Sequence, residues 1–176
     1  MRTVVLGPPP AELRSLIDRR QELGIDVFDE VWEGSYHMVP APSAAHAYLD
    51  NVLAVLLHPY AEAAGLVGTG PFNLGEKDDY RVPDRGYHRG VPTGTWLATA
   101  AVVVEILSPD DETFDKFGFY ARHGVDEVLV ADPSSRTVTL WRRVSDAGYE
   151  EVAASSLLGV TATELTAAIA WPSDTD

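Results

Sequence analysis

The 176-residue chain contains no cysteine, which excludes disulfides, thiolate metal centres and thiol nucleophiles. Lysine is nearly as scarce. Lys77 and Lys116 are the only two among 13 basic residues, against 27 acidic ones, and the formal net charge is -14. A chain that holds nucleic acid mainly by neutralising phosphates is usually basic over at least one face, so any grip on a polyanion here must be local. No run approaches the roughly 20 apolar residues that span a bilayer. The short apolar run Val4 to Leu6, ahead of three prolines, is far below a signal-peptide core. These absences predict a soluble, cytoplasmic chain with no membrane partner. Common catalytic signatures are missing too: there is no phosphate-binding loop ending in Lys-Ser or Lys-Thr, no HExxH and no GxSxG elbow. The stretch GTGPFNLG has the wrong spacing for a dinucleotide loop, and Pro71 removes a backbone N–H that such a loop needs. The five histidines, His37, His46, His58, His88 and His123, lack zinc-ligand spacing.

A length of 176 residues and 45% hydrophobic content suit one domain, residues 1–176, with a real core. Helical spacing of Leu13, Leu16, Ile17 and Leu23 predicts a helix from Pro10 to Leu23, ended by Gly24. Residues 26–42 read as a hairpin turning at Glu33-Gly34-Ser35. The longest helical pattern starts after Ser43, a plausible N-cap, and stops at Gly65, with Pro59 expected to bend or divide it near His58. Residues 66–90 read as a meander of short strands. A strand over 101–107 follows, then a helix from about Thr113 to His123, closed by Gly124. VDEVLVADP and TVTLWRR are further strands, and Thr161 with Glu164 fits a capping box on a last short helix. The alternation implies a mixed α/β (α+β) fold, with a central mixed sheet flanked by helices.

The chemistry concentrates in a few acids and one lysine. Glu105 interrupts the valine strand AVVVEIL, sharing a face with Val103 and Leu107, and a charge beside such a core is costly unless it is paired or binds a metal. Asp84 follows Pro83 at the end of a β-like segment, where a carboxylate can project. Two carboxylates on neighbouring strands can share a Mg²⁺ ion, which can activate water at a phosphate. Asp110 or Asp111 can cap the helix that carries Lys116, and Lys116, Tyr120 and His123 then share one face, opposite Phe114, Phe117 and Ala121, which are expected to pack on the sheet. Lys116 could thus return over the strand bearing Glu105. Spacing alone allows another role: Glu105 bonded to a helix N-terminus and Lys116 paired with Glu112 at i,i+4.

The ordered blocks DEVWEGSYHMVPAPSAAH, YRVPDRGYH, VVVEILSP, DKFGFYARHGVDEVLVADP and TVTLWRR resemble the putative restriction endonuclease family of the PD-(D/E)XK nuclease superfamily over about residues 25–145. The resemblance implies a restriction-endonuclease-like core and Mg²⁺- or Mn²⁺-dependent hydrolysis of DNA phosphodiesters. It implies Asp84 and Glu105 as metal-binding catalytic acids and Lys116 as the catalytic lysine, with Tyr120 four residues after it. Glu30 or its neighbour Glu33 corresponds to the supplementary N-terminal acid, and His46 to a histidine at the start of the long helix that supports the site or contacts substrate. The commonest superfamily pattern puts lysine at position 107, which is Leu here; Lys116 fits the variant with lysine on the following helix. DDET, residues 110–113, replaces residues that are often basic.

Three functions remain in view at this stage: the DNA endonuclease, a homodimer if both strands are cut; a nuclease-fold binding or regulatory module; and a hydrolase of smaller phosphate esters. Convergence of Asp84, Glu105 and Lys116 on an open cleft is what separates the first from the second.

Overall fold

A computed structural model describes residues 3–6, 9–109 and 112–172. Strand β1 (Thr3–Val5) and helix α1 (Ala11–Glu22) lead into the hairpin β2 (Glu30–Trp32) and β3 (Ser35–Met38). The hairpin turns through Glu33 and Gly34, both at positive φ (49° and 83°), the type I′ geometry that matches strand twist. Helix α2 (Ala44–Ala63) starts as expected, with the Ser43 side chain accepting the His46 N–H, and runs unbroken through Pro59. Its row Leu49, Leu53, Leu57 and Ala61 is buried, so packing holds the helix together where proline removes one backbone bond.

The segment after α2 departs from a meander. Strands β4 (Val67–Thr69) and β7 (Arg85–His88) pair with each other, whereas β5 (Asn73–Glu76) and β6 (Asp79–Arg81) form a hairpin elsewhere. The breaks at Gly70-Pro71 and at Pro83 separate pieces that go to different sheets, because proline cannot continue a ladder. After β8 (Trp96–Leu97) come β9 (Val102–Ile106), a single 3₁₀ turn (Thr113–Lys116) and α3 (Phe117–Arg122). The turn and α3 occupy the helix expected over 113–123, closed by Gly124 at φ 71°; the capping role expected of Asp110 or Asp111 lies outside the described residues. Strands β10 (Glu127–Asp132), β11 (Thr137–Ser145) and β12 (Gly148–Val152) and helix α4 (Ala162–Ala168) complete the chain. The Thr161–Glu164 capping box on α4 is present.

The expected mixed α/β class and its central mixed sheet are found, in the order β12-β11-β10-β9-β7-β4, with β9 and β10 parallel. A second six-stranded sheet, β1-β3-β2-β6-β5-β8, is an addition to the expectation. One face of the central sheet packs Val102, Val104, Ile106, Leu129 and Leu140 against α2 and α4. The other packs Val103, Val128 and Val130 against Phe119 and Tyr120 of α3 and Leu74 of β5. Glu105 alternates onto this second face. Among the described residues no helix is long and apolar enough to cross a membrane.

Gly75 brings the β5–β6 hairpin close against α3. It sits at φ 117°, and a Cβ there would lie 2.5 Å from the Asp79 carbonyl oxygen and 2.7 Å from the Phe119 ring. Gly75→Ala is therefore expected to destabilise the fold by about 1–3 kcal/mol, measured as a lower midpoint in urea; an unchanged midpoint would contradict the close approach.

Candidate active site

Alternation on β9 points Glu105 away from the α2 side, toward α3. The antiparallel register pairs Arg85 with Val104, and one further step brings Asp84 opposite Glu105, so the two carboxylates share a face of the sheet. Asp84 Oδ2 accepts the backbone N–H of Ile106 at 2.8 Å. Its Oδ1 lies 2.9 Å from Nε2 of His46, and His46 Nδ1 is 3.4 Å from the Ser108 hydroxyl.

The second sheet contributes Glu30 from β2. Its Oε1 accepts the Val82 N–H at 2.9 Å, and its Oε2 accepts the indole N–H of Trp32 at 2.6 Å. The 3₁₀ turn then delivers Lys116, whose ammonium lies 3.0 Å from Glu30 Oε1 and 3.1 Å from Glu105 Oε1. Tyr120, one turn further along, donates its hydroxyl to the same Glu105 oxygen. Glu30, Glu105, Lys116 and Tyr120 are all buried.

One ammonium thus serves two buried carboxylates. Burial opposes the charge on Lys116, but Glu105 and Glu30 together raise its pKa, so it stays protonated. Burial also works against ionised Glu30, yet the Lys116 charge and the Val82, Lys116 and Trp32 donors bring its pKa below the usual carboxylate value. Glu105 takes the opposite course. Burial, only partly offset by Lys116 and reinforced by Asp84 and Glu30, pushes it up to about 7. Burial likewise raises Tyr120 well above an ordinary phenol, with the neighbouring carboxylates adding to it. For His46, burial favours the neutral ring, but the bond to Asp84 and its charge prevail and raise the pKa.

The structure therefore brings together Asp84, Glu105, Lys116, Glu30, Tyr120 and His46. Glu33 is elsewhere: it is exposed in the β2–β3 turn, its N–H donating to Asp79. His123 does not join Lys116 and Tyr120 but stacks on Phe119. Phe114, although 52% exposed, packs its ring against Trp141 of β11 and against Phe117, as expected of that face. Trp32 is a contributor that the sequence reading missed; its signal was a position two residues after Glu30 on one strand, hence on the same face. A cavity of about 260 Å³, lined by Ser43, His46, Ile106, Ser108 and Pro133 among others, opens on the His46 side.

The donor set suits a hard cation. Asp84 and Glu105 offer adjacent carboxylates, and Glu105 Oε2 makes no hydrogen bond among the described residues. Among those residues no group of three or more His, Asp or Glu side chains is placed to hold a metal ion.

Comparison with known proteins gives a consistent picture. A family profile described as Uma2, "Putative restriction endonuclease", matches residues 20–171. A putative nuclease belonging to DUF820 from Anabaena variabilis ATCC 29413, known from its crystal structure, matches at TM-score 0.65 and 18% identity, over 80% of this chain and 90% of that one. That likeness shows the fold, the restriction-endonuclease-like core expected from the sequence. No curated protein matches the chain.

The raised pKa of Glu105 fixes a sign. The fold favours the protonated form, so its stabilisation is complete below the unfolded value of 4.5 and is lost as pH rises through about 7. In metal-free buffer, the melting temperature of the wild type is expected to fall relative to Glu105→Gln between about pH 5 and about pH 8. A difference that stays constant over that range would show Glu105 to be ionised throughout.

Proposed function

The chain belongs to the Uma2 family of putative restriction endonucleases, and from that premise we propose that it is a divalent-metal-dependent endonuclease hydrolysing DNA phosphodiester bonds. The observation that carries this reading is the convergence of Lys116 on Glu105 and Glu30 beside Asp84. Asp84 and Glu105 would hold Mg²⁺ or Mn²⁺, which when bound supplies a Lewis acid for the phosphate and lowers the pKa of water. With two carboxylates offered among the described residues, water and phosphate oxygens would supply the remaining ligands, as suits Mg²⁺.

The protein's own groups divide the remaining work. Lys116, kept cationic, orients the attacking water and donates to a phosphate oxygen as negative charge builds there. Glu30 restrains the ammonium, with its other oxygen tied to Trp32. Tyr120 fixes one oxygen of Glu105, and the other makes no hydrogen bond among the described residues. His46 orients Asp84 from the side of the cavity. With a net charge of -14, affinity rests on these few contacts, and a homodimer would supply the two sites needed to cut both strands.

Two observations favour a second reading, a nuclease-fold binding or regulatory module: Glu105 and Lys116 are buried, and the cavity on the His46 side is lined by none of Asp84, Glu105 and Lys116, so they converge without opening on that cleft. Lys116 is also already engaged by two carboxylates, which would hold it back from substrate in a protein that does no chemistry.

Cleavage of DNA in Mn²⁺ or Mg²⁺ separates the readings. Asp84→Ala and Lys116→Ala are each expected to lower metal-dependent cleavage by about a thousandfold, while Glu33→Asn, at a turn position that tolerates Asn, leaves it unchanged. Equal cleavage by wild type and Lys116→Ala would refute the endonuclease reading. Calorimetry should show Mn²⁺ binding that disappears in Glu105→Gln; binding retained there would remove Glu105 as a ligand.

A further inference from the structure

Arg81, at the end of β6, is 4% exposed. Its Nη1 donates to the Val31 carbonyl at 2.8 Å and to Asp79 Oδ1 at 2.9 Å. Its Nε is buried without a hydrogen-bond partner among the described residues. A buried donor left unpaired is costly, and an apolar side chain of similar size would avoid that cost. The guanidinium plane must therefore serve something that shape alone does not.

Its surroundings indicate what that is. The guanidinium carbon lies 4.4 Å from the centroid of the Trp32 ring and 4.1 Å from that of Phe119. The column extends at both ends: His37 stacks on Trp32 at 4.6 Å, and His123 on Phe119 at 4.1 Å. Arginine suits this position because it is planar, permanently charged and attracted to aromatic faces. Each ring it touches is one step from a carboxylate of the site. Trp32 donates its indole N–H to Glu30, and Phe119 precedes Tyr120, which donates to Glu105.

We propose that Arg81 is a positioning residue of the candidate active site: wedged between Trp32 and Phe119, it fixes the separation of Glu30 and Glu105 across which Lys116 is held. Glu30 comes from one sheet and Glu105 from the other, so their spacing depends on how the sheets meet. Arg81 sits at that junction, bonded to the backbone of β2 and pressed on α3. It touches neither carboxylate and acts through the two rings. This role in catalysis rests on the nuclease reading; the effect on Glu30 does not.

The test uses the indole N–H resonance of Trp32 in ¹⁵N-labelled protein, identified by its loss in Trp32→Phe and its displacement in Glu30→Gln. In Arg81→Met that resonance is expected to move toward its Glu30→Gln position, and kcat for DNA cleavage to fall by about a hundredfold with little change in KM. Arg81→Lys, which keeps the charge but not the plane, is expected to fail to restore either. A resonance unmoved in Arg81→Met, or restored kcat in Arg81→Lys, would overturn the proposal. If Arg81→Met does not fold, Phe119→Leu removes the opposite face of the wedge and is scored by the same two readouts. Should the wild type cleave no DNA, the nuclease reading falls, and the indole resonance alone decides what Arg81 positions.

Discussion

The ammonium of Lys116, shared between Glu30 and Glu105, is the interaction on which the other features depend. Removing one partner of a buried ion pair costs about 3–5 kcal/mol, because a charge is then stranded in the interior. With one ammonium for two carboxylates, the charges do not balance in the buried cluster. Glu30, with three donors around it among the described residues, takes the ionised role, and Glu105 is left with a raised pKa. A site in that condition has a standing preference for one further positive charge near Glu105 and Asp84, which on the proposed reading is the metal.

The fold makes this cluster possible by bringing two sheets to one short helix. Asp84 and Glu105 belong together through the register of β7 and β9, a local and rigid relation. Glu30 arrives from a separate sheet, tied across at Val82, just where the chain leaves that sheet for β7. Lys116 and Tyr120 are four residues apart, on the 3₁₀ turn and α3, and both reach Glu105. Positions on strands and a packed helix hold side chains more tightly than loops can, as a hydrolytic site requires.

Much of the site was legible because its residues break local patterns. Glu105 is a charge in a valine strand, Lys116 is one of two lysines, and Asp84 follows a proline that ends a strand. The choice between Glu30 and Glu33 was also latent in the sequence, since the Glu33-Gly34 turn read from it places Glu33 at the tip of a hairpin, away from the sheet face. What stayed hidden was long-range. Period-two alternation in residues 66–90 does not say that the outer strands β4 and β7 enter one sheet and the inner pair β5 and β6 the other, because it is the same in both. The bond from His46 to Asp84 spans 38 residues, and the column through Arg81 joins three segments with no shared periodicity.

The acidity of the chain limits how it could hold DNA but bears little on whether it could cut it. Affinity for duplex scales with the number of phosphates neutralised, whereas hydrolysis needs charge only at the reacting centre. Anomalous diffraction from crystals soaked in Mn²⁺ locates the metal at that centre: a peak is expected about 2.1 Å from carboxylate oxygens of both Asp84 and Glu105, with the Lys116 ammonium close by, and a peak away from this pair would rule out the metal site.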